Sequence, residues 1–201
     1  MKKIAPVISI LFHPLLMPTL GLLLLLNSGT YLALLDPHAK RAILFVMALG
    51  TLLFPLMMMP ILYYRNLVSS MQNSSREELL ISRVIILILY MITFVYFVRL
   101  PLSRIIHSYV LATAVTLFVV ILLGIWFRIS MHTAALGGLA GLIIALIILY
   151  QTPLQWFLMI TLLAGGITAS ARLALGLDRS AEVYAGYLVG FGVVLTTLLI
   201  Y

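Results

Sequence analysis

Three separated stretches of an otherwise apolar chain set basic or hydroxyl residues beside an acid or an imidazole. They are Ser74-Ser75-Arg76-Glu77-Glu78, then Arg128-Ile129-Ser130-Met131-His132, then Arg172 through Asp178 to Glu182. The chemistry they suit is that of an anion. Arginine's fork donates two parallel hydrogen bonds to a phosphate or carboxylate. His132 falls where a helix would open, and a helix start offers free backbone amides and a partial positive charge. Asp178 and Glu182 are four apart and share a face if a helix begins near them.

The elements that must position these residues are written in hydrocarbon. Hydrophobic residues fill 64% of the 201 positions, and mean hydropathy is +1.24, far outside the soluble range. A bilayer span needs roughly 20 mostly apolar residues, and in lipid the backbone must bond to itself, which unbroken runs do as helices. Seven such runs predict helices over Ile4 to Asn27, Ala42 to Tyr64, Arg83 to Val98, Ile105 to Phe127, His132 to Tyr150, Leu154 to Leu173, and Ala181 to Ile200. The expected fold class is all-α integral membrane, a compact bundle of six to seven transmembrane helices in one polytopic domain, residues 1–201. The start, Met1-Lys2-Lys3 before an apolar run, is read as a retained first helix. Pro14 and Pro18 interrupt that helix, and Pro55 and Pro60 are expected to kink the second. Gly137 and Gly141 on the fifth helix, and Gly186 and Gly190 on the seventh, open grooves for close packing. His13 is expected to bond a carbonyl that Pro14 frees.

Composition excludes several functions. There is no cysteine, so disulfides, zinc thiolates and cysteine nucleophiles are absent. No metal site and no cofactor are expected. The net charge of +7 need not mean nucleic acid, because membrane proteins collect Lys and Arg in loops that face lipid phosphates. Nucleic acid is not an expected partner. Alternating spans put Lys2, Lys3, Arg65, Arg76, Arg83, Arg128, Arg172 and Arg179 on one face, against Lys40, Arg41, Arg99 and Arg104 on the other. Eight against four places the first face in the cytoplasm. The expected location is a bacterial cytoplasmic (inner) membrane. Should Arg76, Arg128 and Arg172 bind a phosphate instead of reporting topology, five against four decides nothing.

The chain resembles the type 2 phosphatidic acid phosphatase family of membrane phosphatases, and more closely a branch of about 200 residues associated with Bacteroidetes. The resemblance runs nearly end to end. It rests on Phe12-His13-Pro14-Leu15-Leu16-Met17-Pro18-Thr19, on Ile129-Ser130-Met131-His132, and on Ala171-Arg172-Leu173 with Val183-Tyr184-Ala185-Gly186-Tyr187. It implies a basic stretch that binds phosphate and a Ser-Gly-His stretch whose histidine protonates the leaving oxygen. It also implies a third stretch of Arg, five residues, His, three residues and Asp, in which that His attacks phosphorus. Phosphoryl transfer is mostly positioning and charge stabilisation.

Carried over, Ser130 and His132 match the second stretch, with Met131 in place of the usual Gly. Arg172 matches the arginine of the third. Asp178 stands at the nucleophile position and Glu182 at the acidic one. In the first stretch the key arginine falls at Leu79 and the proline at Ser82; Arg76 is the substitute, about one helical turn out of register. The resemblance thus implies His132, Asp178 and Glu182 in catalytic roles and Arg76, Ser130 and Arg172 as phosphate ligands. The departures bring two carboxylates next to a phosphate and remove a cation, which disfavours anion binding. The expectation is a diverged phosphatase-like pseudoenzyme, weakly active or non-catalytic. It would bind membrane lipids or a lipid phosphate, or serve as an accessory subunit of a larger membrane complex. The alternative is an active phosphatase on a lipid phosphate or polyprenyl pyrophosphate. Two plainer roles stay open: His132 as a helix cap, and Arg172 with the two acids as a structural ion pair.

Overall fold

Prolines and caps decide where the helices start and stop. The structure, a computed structural model, describes residues 5–64 and 76–200, the side chains of 76 and 77 excepted. The first apolar run is two helices, α1 (Ala5–Leu11) and α2 (Met17–Asn27), not one. Pro14 has no amide to continue α1, and His13 fills the gap. Its carbonyl accepts from Leu16 N at 3.0 Å and its Nδ1 accepts from Leu15 N at 3.3 Å. Val7, Ile10 and Leu11 leave an exposed apolar face on α1, while Ala5 is buried.

The next span begins earlier than the apolar pattern predicts. Asp36 caps α3 (Pro37–Ala48), its carboxylate accepting from His38 N at 2.7 Å and Ala39 N at 3.1 Å. Pro37 supplies the favoured first residue. A wide π turn, Leu49–Leu53, then joins α3 to α4 (Phe54–Tyr64). Pro55 explains it: the ring has no N–H for the Thr51 carbonyl and crowds it. Tyr90 donates its hydroxyl to that carbonyl from the neighbouring helix, at 3.4 Å. The span therefore continues from Pro37 to Tyr64 and carries Pro60 inside it.

The remaining helices are α5 (Arg76–Val98), α6 (Arg104–Gly124), α7 (Met131–Tyr150), α8 (Gln155–Ala174) and α9 (Ser180–Ile200). The apolar pattern predicts the third span from Arg83, but α5 starts two turns sooner, because Glu, Leu and Arg favour helix. Among the described residues, six helices are long and apolar enough to cross a membrane, and α2 is shorter. No strand occurs among the described residues.

Burial sorts the bundle. α6 and α7 are 61% buried over their apolar windows, and the other four spans 22–28%. Those two are therefore the inner helices, and the rest present broad apolar faces outward, as lipid requires. The main core joins Leu22, Leu25 and Leu26 of α2 to Ile106 and Val110 of α6 and to Leu142 and Leu146 of α7.

The closest pair is α7 with α9, which run parallel because α8 makes the return crossing. The four glycines singled out in the sequence face this seam. A Cβ on Gly137 would meet the Tyr187 carbonyl, and one on Gly141 the Phe191 carbonyl. On α9, Gly186 faces the Ser130 carbonyl and Gly190 the Ala134 carbonyl. Backbone lies against backbone from Ser130 to Gly141 on α7, about three turns, the geometry that small residues permit.

Candidate functional site

Three chain breaks lie at one end of the bundle: the α1–α2 break, the 125–130 loop before α7, and the 175–179 loop before α9. The α7–α9 seam fixes two of them. Ser130 N donates to the Glu182 carbonyl at 3.1 Å, tying the start of α7 to that of α9.

The polar side chains gather there. Arg172, in the last turn of α8, grips Asp178 with a two-point fork, Nε to Oδ2 at 2.8 Å and Nη2 to Oδ1 at 3.1 Å. Ser130 Oγ donates to the same Oδ2 at 2.6 Å. Gly176, in the left-handed conformation at φ 66°, turns the chain so that Asp178 comes back to Arg172. The two side chains are 17% and 10% exposed, so the pair is shielded but not sealed. His132 lies within electrostatic reach of both Arg172 and Asp178.

The fold thus brings four of the expected residues together: Ser130, His132, Arg172 and Asp178. Glu182 is next to them but otherwise engaged. Its Oε2 accepts from Arg179 N at 3.1 Å, closing the first turn of α9 as in a capping box. The side chain of Arg76 lies outside the described residues. Leu79, at the position of the key arginine, is half-buried on α5.

Two residues join the cluster that the sequence patterns did not assign to it. The His13 ring meets His132 edge to face, with centroids 5.7 Å apart. It does not bond a carbonyl freed by Pro14; accepting the Leu15 amide on Nδ1 leaves the neutral ring's proton on Nε2. Arg83, from α5, reaches the Ile129 carbonyl through Nη2 at 3.5 Å and lies within electrostatic reach of Asp178. Arg83 Nε is buried with no partner among the described residues, as is the hydroxyl of Ser9, whose backbone lies beside His132. Buried donors without partners are uncommon, and these two border the cluster.

Below the cluster is a cavity of about 70 Å³. Pro14 and Met131, the neighbours of His13 and His132, form part of its wall, with Tyr109 and Thr116 deeper. Those hydroxyls are engaged, Tyr109 with the Pro18 carbonyl at 3.1 Å and Thr116 with the Ala112 carbonyl at 2.7 Å. The cavity therefore offers hydrocarbon contact rather than polar handles.

Burial alone would raise the Asp178 carboxyl, but the hydrogen bonds from Arg172 and Ser130 and the Arg172 charge outweigh it and hold the group below its usual range. A depressed carboxylate stabilises the fold above its unfolded value, near 4, and loses that contribution as pH falls through the folded value. Wild type and Asp178→Asn should therefore differ in thermal stability by a constant amount from pH 5 to 8, a gap that closes below about pH 4. Unfolding curves in detergent across that range check this; a gap that persists at low pH would contradict it.

The class these features define is a multi-pass helical membrane protein with a polar cluster at one end of its bundle. No protein-family model, curated protein or solved structure matches the chain. The geometry also revises the sidedness count. Arg83 and Arg172 are drawn into the cluster and are not loop charges. That leaves six basic residues against four over the whole sequence, a narrower margin than the sequence count gives.

Proposed function

We propose that this protein holds a phosphate-bearing lipid at one membrane boundary without hydrolysing it, either for itself or as an accessory subunit of a larger membrane complex. The observation that carries this reading is the closed fork. The phosphatase resemblance puts the nucleophile at Asp178, yet both its oxygens accept hydrogen bonds, at 2.6, 2.8 and 3.1 Å. An oxygen so engaged is a poor nucleophile, and the paired charge of Arg172 is largely cancelled for an incoming dianion. Cationic capacity remains in Arg83, whose Nε has no partner among the described residues, and both Arg83 and His132 lie within electrostatic reach of Asp178. The cavity next to Pro14 and Met131 suits the first part of an apolar chain.

The test is a panel of lipid phosphates and polyprenyl pyrophosphates given to purified, folded protein. Binding is followed as ligand-dependent thermal stabilisation, and turnover as released phosphate. Stabilisation by at least one ligand, weakened in Arg83→Gln, is expected with no phosphate release. Turnover that disappears in His132→Ala would overturn the reading and favour an active phosphatase with His132 as acid. Asp178→His combined with Leu79→Arg is expected to bring back some release, because it restores the imidazole and the cation that the resemblance implies.

A further inference from the structure

On the outer side of the 125–130 loop is a second depression, separate from the His132 cluster. Its volume is about 600 Å³, in the range of small-molecule sites, and it is lined by Trp126, Phe127, Arg128, Arg179, Glu182 and Ala185, with Ala181 between. Trp126 and Phe127 are 63% and 58% exposed, and Arg128 and Arg179 are exposed as well. Neither guanidinium has a hydrogen-bond or ion-pair partner among the described residues. Glu182 is the one acid among the described residues that line the groove, and its Oε2 is held by the Arg179 amide.

We infer that this groove is a binding site for the headgroup of an anionic phospholipid from the surrounding bilayer. Three features favour that occupant. The groove sits where α6 ends and α9 begins, at a boundary of two helices apolar enough to span, so a headgroup reaches it without leaving the membrane. Two free cations against one engaged acid leave a net positive charge, which an anionic headgroup complements. An indole and a phenyl ring beside them match the interfacial belt, with rings at the level of glycerol and upper acyl chain. The inference stands apart from the reading of the His132 cluster, since no residue that binds Asp178 lines this groove.

The two tryptophans make the test direct. Trp126 is in the groove, and Trp156 opens α8 at the opposite boundary. In the Trp156→Phe protein only Trp126 fluoresces. It is reconstituted in phosphatidylcholine vesicles that carry, at equal mole fraction, either phosphatidylglycerol or phosphatidylcholine with brominated chains. One net charge near the surface predicts about fivefold enrichment of the anionic lipid around Trp126, read as excess quenching. Arg128→Gln with Arg179→Gln should remove the excess, and the matching lysine pair should keep most of it. Trp156, observed alone in Trp126→Phe, should be quenched equally by both lipids. Equal quenching of Trp126 by the two lipids, or an excess that survives the glutamine pair, would overturn the proposal. So would an excess abolished by inorganic phosphate, which would assign the groove to a free anion.

Discussion

Gly190→Ala is expected to destabilise the protein severely, although alanine is the better helix former. A Cβ at Gly190 would run into the backbone of Ala134, its carbonyl oxygen first. A flexible side chain could swing away; a helix backbone cannot, so α7 and α9 must separate. Overpacking typically costs about 1–3 kcal/mol, and a clash with backbone belongs at the upper end. The control is two residues away. A Cβ at Gly192 would meet nothing within 4 Å, so Gly192→Ala should be neutral or stabilise by up to about 1 kcal/mol through helix propensity. Unfolding titrations in mixed micelles compare the two. Equal stability of both variants would mean that the seam is not closed as described. The loss should also reach the site, because the Ser130 amide and the Glu182 carbonyl bond across the same pair of helices.

Arg172→Met is the second large effect. It keeps much of the side-chain volume and removes the charge, leaving Asp178 with the Ser130 hydroxyl as its remaining hydrogen-bond partner among the described residues. Breaking one side of a buried pair costs about 3–5 kcal/mol when burial is complete; with 17% and 10% exposure, about 3 kcal/mol is expected. Adding Asp178→Asn should recover most of the loss, since no charge is then left uncompensated. The double-mutant cycle measures this coupling. A single-variant cost under about 1 kcal/mol would be that of a solvent-exposed pair and would remove the closed fork as an argument. Lipid-phosphate binding, followed by thermal stabilisation, should also change between the single and double variants if Arg83 supplies the remaining cation.

The spacing of Arg172, Asp178, Ser130 and His132 made their convergence legible. Each sits at or next to the end of an apolar run, and the alternation of spans sends those ends to one boundary. The glycines at four-residue intervals similarly announced close helix packing, although not that α7 and α9 would be each other's partners. The sequence does not disclose the place of His13 in the cluster, for a physical reason. A proline in an apolar run announces a break, but not where the broken ends will pack, and the His13–His132 contact depends on that packing. Arg83 was hidden by a boundary error. At the first residue of a span, it counts as one of the basic charges that report sidedness. Placed two turns inside α5, it must find partners within the protein, and it does so at the Ile129 carbonyl. Glu182 shows the opposite failure: its alignment with an acidic position pointed to chemistry, while its bond caps a helix.

The glycine seam has a consequence for the protein's tolerance of its surroundings. Bilayers differ in thickness, and spanning helices answer mismatch chiefly by tilting. Two helices whose backbones touch along the Gly137–Gly141 and Gly186–Gly190 stretches tilt as one rod, so the end of that rod nearest the contact keeps its spacing whichever membrane holds it. Ser130 and Glu182 ride on the same end, and Asp178 follows through its hydroxyl contact. The protein can therefore be expected to keep the same polar arrangement in short-chain and long-chain lipid alike, with the lean of the rod absorbing the difference.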